Sequence, residues 1–264
     1  MNIPNICLIL LAGGESSRMR SLTKDIPKVL LPVYDNSLLQ QHINHAGEAG
    51  IKKIIVSTKP KWSKIFSSHL SRTKQKNTVN VFSNPAHRHG SLPALLAVAK
   101  TTDSDYILMS LTDIFFFNNP YTHFIHNSNG LCVLGVSKPF RNQELTGGGI
   151  VFIKNNKIQS IKERPIRNNK KGWRWSGLAL FSKNLVSDLD LFLRDHPKNS
   201  PEGDFFEYWR SRGNTVCYRE CSDFINVNTA SDLLLASLYN FSFRNQDETL
   251  RRFTSGMRKK LVLP

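Results

Sequence analysis

An apolar run over residues 6–12 ends in Gly13-Gly14, and small or charged residues follow at once: Glu15, Ser16, Ser17 and Arg18. This order constrains the fold more than any other feature of the chain. A run this short reads as a buried strand and not as a membrane span. Two glycines at its end let backbone pass close to a ligand. The serines expose N–H groups suited to phosphate oxygens, and Arg18 supplies a planar fork for polyphosphate. Lys28 then adds a point charge between Pro27 and Pro32. The spacing is not that of a P-loop, which ends in Lys-Ser or Lys-Thr, nor of the dinucleotide fingerprint with its three spaced glycines.

Strand-like runs at 5–11, 53–57, 79–82, 106–110 and 131–136 alternate with helical patterns at 37–48 and 92–100. Asn36 or Ser37 caps the first helix and Gly50 ends it; Ser91 caps the second. Such alternation predicts an α/β fold: a doubly wound, mostly parallel, Rossmann-like sheet covered on both faces. The middle of the chain reads differently. Residues 149–153 and 158–161 flank the turn signal Lys154-Asn155-Asn156-Lys157, which predicts a hairpin. A strand at 173–181, helices at 183–193 and 202–212, a strand at 215–218 and a helix at 230–239 complete the pattern. The expected organisation is one domain over residues 1–242 and a basic tail or helix over 243–264.

The 264 residues carry a formal charge of +16, with basic residues concentrated at 52–76, 154–174 and 251–260. A field of this sign attracts polyanions, from nucleotides and phosphorylated metabolites to nucleic acid, without choosing among them. Cys7, Cys132, Cys217 and Cys221 do not form a zinc pattern and read as thiols in a reducing compartment. No basic segment precedes the first apolar run as a signal peptide requires. A cytoplasmic protein without a membrane partner is expected.

A second chemical signal is Asp113, just past the buried run 106–110. A carboxylate at the C-terminal end of a central strand sits where ligands bind in open α/β sheets, and Mg²⁺ held largely by phosphates needs only one or two such groups.

LAGGESSRMRSLT (residues 11–23) and PKVLLPV (residues 27–33) together resemble the nucleotidyltransferase family that includes the sugar-1-phosphate nucleotidylyltransferases. The family signature runs roughly L-A-G-G-x-G-T-R-L-x-x-L-T and then P-K-x-L-L-P-V; Ser16, Ser17 and Met19 are this chain's departures. The resemblance spans roughly residues 6–240. It implies a single doubly wound domain with a small antiparallel sheet added over the substrate pocket. It also implies transfer of a nucleoside monophosphate from a nucleoside triphosphate to a sugar 1-phosphate, with release of pyrophosphate and dependence on Mg²⁺. Leu11, Ala12, Gly13 and Gly14 would hold the nucleotide. Arg18 and Lys28 would be the catalytic cations, at a solvent-open site. Asp113 would bind the metal, and Asn226, in Asp223-Phe224-Ile225-Asn226-Val227-Asn228-Thr229, stands where many members have a second metal-binding carboxylate. Asn84, Gly90 and Ser91 resemble the base-contacting turn. Gly148, Gly149, Glu163, Arg164 and Ser176 resemble the sugar-site segments.

Two other readings stay open. The Asn84 to Leu92 spacing also resembles phosphocholine cytidylyltransferases, whose acceptor would be a phospho-alcohol or phosphonate. Trp173 or Trp175 would then face a cationic head group. A non-catalytic nucleotide- or nucleic-acid-binding protein on the same fold would fit the charge and the amide at Asn226. Gly13, Gly14, Arg18, Lys28 and Asp113 together disfavour it. The motifs leave the base, the acceptor and self-association into a homo-oligomer undecided.

Overall fold

The computed structural model describes residues 5–19, 22–72, 77–125, 132–138, 148–163, 172–196, 200–245 and 248–249. The first half runs β1 (Ile6–Leu11), the short pair β2 (Pro32–Val33) and β3 (Asn36–Ser37), then α1 (Leu38–Glu48) and β4 (Lys53–Thr58). It continues through α2 (Ser63–Ser71), β5 (Thr78–Ser83), α3 (Ser91–Ala99), β6 (Tyr106–Leu111), β7 (Ile114–Phe116) and α4 (Thr122–Ile125). The second half contains β8 (Cys132–Ser137), β9 (Gly149–Lys154), β10 (Lys157–Glu163), β11 (Trp173–Ser182), α5 (Leu185–Asp195) and α6 (Glu202–Ser211). It closes with β12 (Cys217–Glu220), β13 (Phe224–Asn226) and α7 (Ala230–Arg244).

β1 lies between β4 and β6, parallel to both, and β5 pairs in parallel with β4. Its side chains alternate between two cores. Cys7, Ile9 and Leu11 pack with α3 residues such as Leu92, Leu95 and Val98, while Ile6, Leu8 and Leu10 pack with Leu39, Ile43 and Ala46 of α1. A strand buried on both faces must be apolar throughout, so β1 shows no polar alternation. The antiparallel strands continue this same sheet: β11 pairs with β6, β8 and β9, and β10 forms the edge beyond β9. Along β11 the register breaks between Trp175 and Ala179. Gly177 sits in that break with φ +69, and a Cβ there would lie 2.6 Å from Ile114 Cδ1. Left-handed backbone and close contact together require glycine.

Local signals behave as their chemistry predicts in most places. Ser37 caps α1, its Oγ accepting from Gln40 N at 3.1 Å. Asn155 and Asn156 have φ of 50 and 57, the two left-handed residues of a type I′ hairpin turn. Thr229 and Asp232 form a capping box at the start of α7. Two expectations shift. Gly90, with φ 112, turns the chain into α3, so Ser91 is the helix's first residue and not its cap. α7 runs to Arg244, five residues past the helix end expected at 239, and residues 246–247 and 250–264 of the tail lie outside the described residues. All four cysteines are free thiols. Among the described residues no helix is long and apolar enough to cross a membrane.

Candidate active site

The C-terminal ends of β1, β4 and β6 open into one cleft of about 470 Å³. Crevices beyond the carboxyl ends of parallel strands are where ligands bind in sheets of this kind. The loop leaving β1 is pinned from both sides. Ala12 N donates to Ser57 O at 2.8 Å, and Thr112 Oγ1 donates to Leu11 O at 2.8 Å. Leu11, Ala12, Gly13 and Gly14 line the cleft. Gly13 is required by its neighbour: a Cβ would fall 2.1 Å from His87 Nδ1. Gly14 has nothing within 4 Å of such a Cβ and leaves its backbone open. Ser16, standing where the family has glycine, adopts φ 54, so this serine holds a left-handed conformation that glycine takes without strain.

Lys28 sits in a single 3-10 turn that follows the extended Pro27. Its side chain is 8% exposed, and Nζ lies 3.0 Å from Asp113 Oδ2. Nζ also donates to Asn228 Oδ1 at 3.4 Å. The solvent-open setting expected for Lys28 is therefore corrected: the PKVLLPV segment buries the stem and delivers only the ammonium. Asp113 occupies the two-residue turn between β6 and β7, and its side chain is 37% exposed. The β7–β13 ladder sets Asn226 opposite Ile114, and Val227 N donates to Asp113 O at 2.8 Å. Distant segments thus converge on Lys28, Asp113, Asn226 and Asn228. Arg18 is exposed on the turn after the loop and is not among the residues lining the cleft.

α1 braces this turn through two side chains that sequence reasoning passed over. His42 is fully buried; its Nε2 lies 3.0 Å from Ile114 O and its Nδ1 lies 2.5 Å from the Tyr121 hydroxyl. A neutral ring satisfies both, donating to the carbonyl and accepting from the phenol. Burial pulls the pKa of His42 down to about 3. Gln41 holds the next part of β7, donating to Phe116 O at 3.1 Å and accepting from Phe116 N at 3.3 Å. A helical pattern reads only which face is buried, so polar residues that serve a strand are invisible to it.

The base-side residues divide. Gly90 and Ser91 line the cleft. Asn84 does not: it is fully buried, donates its amide protons to Ser57 Oγ and Ala94 O at 2.9 Å each, and accepts from Ala86 N at 3.0 Å. Its expected contact with a base edge gives way to capping the turn Pro85–His89. His87 comes into the cleft instead, with Nε2 3.0 Å from Ser57 Oγ. Burial lowers its pKa to about 4, so the imidazole is neutral near pH 7.

The acceptor-side residues also divide. Gly148 is exposed, and a Cβ built on it would stand 3.8 Å from Asn226 Nδ2, which places it beside the Asp113 end of the cleft. Gly149 pairs with Glu163 across the β9–β10 hairpin. Glu163 Oε1 accepts from Gly203 N at 3.0 Å, so this carboxylate braces the first turn of α6. Ser176 is fully buried and donates to Gly135 O at 2.9 Å; the sugar contact expected of it is replaced by strand packing beside the Gly177 break. Arg164 lies outside the described residues. Trp175 is buried with Nε1 donating to Leu178 O, and Lys138 lies over the Trp173 ring, 5.1 Å from its centroid. Glu202 and Lys59, which the motifs did not single out, also line the cleft.

The sequence model of the family described as Nucleotidyl transferase matches residues 7–233. This chain belongs to that family. A glucose-1-phosphate thymidylyltransferase of Neisseria meningitidis serogroup A is 25% identical over 276 residues, covering 95% of this chain and 94% of its own. A D-glycero-alpha-D-manno-heptose 1-phosphate guanylyltransferase of Campylobacter jejuni is 24% identical over 186 residues, covering 69% and 79%. Among solved structures, the inositol-1-phosphate CTP transferase of T. maritima superposes with a TM-score of 0.75 at 17% identity, covering 90% of this chain and 96% of that one. A Bacillus anthracis protein assigned as a glucose-1-phosphate thymidylyltransferase, solved with sucrose, gives 0.75 at 20% identity, covering 88% and 94%. These structural likenesses establish the nucleotidyltransferase fold. The segments that carry the resemblance, the loop after β1 and the turn bearing Lys28, line the cleft together with the turn bearing Asp113.

Proposed function

We propose that this nucleotidyltransferase joins a nucleoside monophosphate, taken from a nucleoside triphosphate, to a sugar 1-phosphate and releases pyrophosphate. The observation that carries the reading is the Lys28–Asp113 pair at 3.0 Å, set at the end of β6 and facing the glycine loop across one cleft. A volume of about 470 Å³ suits a small molecule, which favours a nucleotide over a nucleic acid chain. The names of the relatives favour a sugar 1-phosphate as acceptor. The occupied Trp173 and the buried Trp175 weigh against a choline head group.

In this reading the backbone of Gly13 and Gly14 receives the triphosphate, and Arg18 meets its outer phosphates at the rim. Lys28 holds the acceptor phosphate and balances the charge that grows on the α-phosphate. No enzymic nucleophile is needed, because the acceptor's own phosphate oxygen attacks. Orientation and charge stabilisation supply the rate. Asp113 and Asn226 offer a carboxylate and an amide oxygen, the donor type Mg²⁺ takes, at adjoining positions of the β7–β13 ladder. Among the described residues no group of three or more acidic, histidine or cysteine side chains gathers, which suits a metal held mainly by substrate phosphates. When bound there, Mg²⁺ would neutralise phosphate charge and polarise the reacting phosphorus. Gly148, Gly149, Glu163 and Arg164 are proposed to shape the acceptor side, with Glu163 acting through α6.

The test is a matrix of four nucleoside triphosphates against sugar 1-phosphates, inositol 1-phosphate and phosphocholine, read by pyrophosphate release. Turnover with a sugar 1-phosphate supports the reading. Turnover confined to phosphocholine or inositol 1-phosphate overturns the acceptor, and binding without turnover on any pair overturns the enzyme.

A further inference from the structure

Lys59 is the first residue beyond β4 and lines the same cleft as Gly13, Gly14, Lys28 and Asp113. Its side chain is 15% exposed, and its ammonium makes a salt bridge with Glu15, whose side chain is 75% exposed. The two residues stand on different footings. The backbone leading to Lys59 is tied to the loop and to the base-side turn: Ala12 N donates to Ser57 O, Thr58 Oγ1 to Ala12 O, and Asn84 N to Thr58 O. Glu15 stands on the loop itself, next to the open Gly14. Burial lowers the pKa of Lys59, and the charge of Lys61 lowers it further.

The other cations of the cleft are differently placed. Lys28 is held by Asp113, and Arg88 is exposed and bonded through Nε to His89. Arg18 stands outside the lining. Among the described residues, Lys59 is therefore the cation at the glycine loop whose partner is a solvent-exposed carboxylate, one that a stronger anion replaces at little cost. We propose that Lys59 holds the triphosphate in this cleft, and that Glu15 is its resident counter-anion, displaced when phosphate oxygens arrive. The inference rests on the nucleotide site of the proposed function and deepens it. Its consequence is selectivity by charge. A triphosphate brings enough negative charge to replace the carboxylate, whereas a monophosphate, carrying less charge, competes with it less well.

The test is equilibrium binding by calorimetry. Wild-type protein is first titrated with ATP, GTP, CTP and dTTP, and the tightest is carried forward with its monophosphate. Lys59→Gln is expected to weaken the triphosphate about tenfold or more, as for a lost charge-assisted contact, and the monophosphate less than about threefold. Glu15→Gln, at an exposed position, is expected to tighten the triphosphate by about two- to fivefold. The same Glu15→Gln change in the Lys59→Gln background should do nothing, because the competition it relieves is gone. Lys59→Arg should keep most of the wild-type affinity. Wild type that binds none of the four triphosphates overturns the proposed function itself. Wild type that binds, with Lys59→Gln unmoved or with Glu15→Gln weakening the triphosphate, overturns this inference alone.

Discussion

The two sides of the cleft are built by different means. On the nucleotide side, the loop after β1 is fixed by bonds from the segments next to it, and the buried Lys28 meets the partly exposed Asp113. On the acceptor side, Glu163 braces α6, Ser176 braces β8, and Gly177 lets β11 change neighbours against Ile114. The first side holds its chemistry in short contiguous segments. The second holds shape, and side chains that resemble ligands there do structural work. A change on the nucleotide side should therefore remove turnover directly. A change on the acceptor side should act first through stability.

Lys28→Ala sharpens the contrast with the largest effect. It should lower turnover about 100-fold or more, as for other lost charge-stabilising groups. It should also cost about 1–2 kcal/mol of stability, because a buried stem and its charge-assisted bond are removed. Steady-state kinetics paired with a thermal melt checks both. Turnover lost with no change in melting would mean that the pair with Asp113 contributes nothing to the fold.

Gly177→Ala perturbs the acceptor side. The added methyl meets Ile114 Cδ1 and Leu111, in a backbone conformation that alanine resists. The expected cost is about 2 kcal/mol. Since Ile114 adjoins Asp113, the Mg²⁺ requirement should rise as well. A melt that falls while the Mg²⁺ midpoint stays fixed would show that the acceptor side is uncoupled from the Asp113 turn.

Legibility in the sequence followed the same division. β1, β4, β6 and their helices were readable because a strand buried on both faces is apolar without interruption, and Ser37 carries its cap in its chemistry. Lys28 and Asp113 stand out in the sequence as candidate site residues because each stands beside a distinctive run. Their pairing does not, since 85 positions separate them. Asn84 and Ser176 look like ligands in sequence because a small polar residue next to glycine or proline serves equally well to bind or to brace; only burial tells the two apart. β2, β3, β7 and β13 span two or three residues each, too short to show a period. α2 buries only Phe66, so its helical face is faint in the sequence.

Asn226 gives an intermediate effect. As a neutral metal ligand, Asn226→Asp should lower the Mg²⁺ midpoint about threefold to tenfold, and Asn226→Ala should raise it. As a residue of the β7–β13 ladder alone, Asn226→Ala should cost about 1 kcal/mol of stability with the midpoint unmoved. Mg²⁺ titrations of pyrophosphate release, each with a melt, separate these outcomes.

The smallest effect is expected at Ser16. Glycine accepts φ 54 without a Cβ clash but loses more freedom on folding, so Ser16→Gly should raise stability by less than about 1 kcal/mol. Turnover should change little. Marked destabilisation in a denaturant titration would show that the serine side chain holds the loop.

In the proposed function a nucleoside monophosphate is transferred in a cleft organised by Lys28 and Asp113. The most direct test is pyrophosphate release by wild type and Asp113→Asn, side by side, with a nucleoside triphosphate and a sugar 1-phosphate over a range of Mg²⁺. Wild type should release pyrophosphate only when all three are present, and Asp113→Asn should fall by about 100-fold or more while still binding the triphosphate, more weakly. Asp113→Asn turning over at the wild-type rate with the same Mg²⁺ midpoint would remove Asp113 from the reaction.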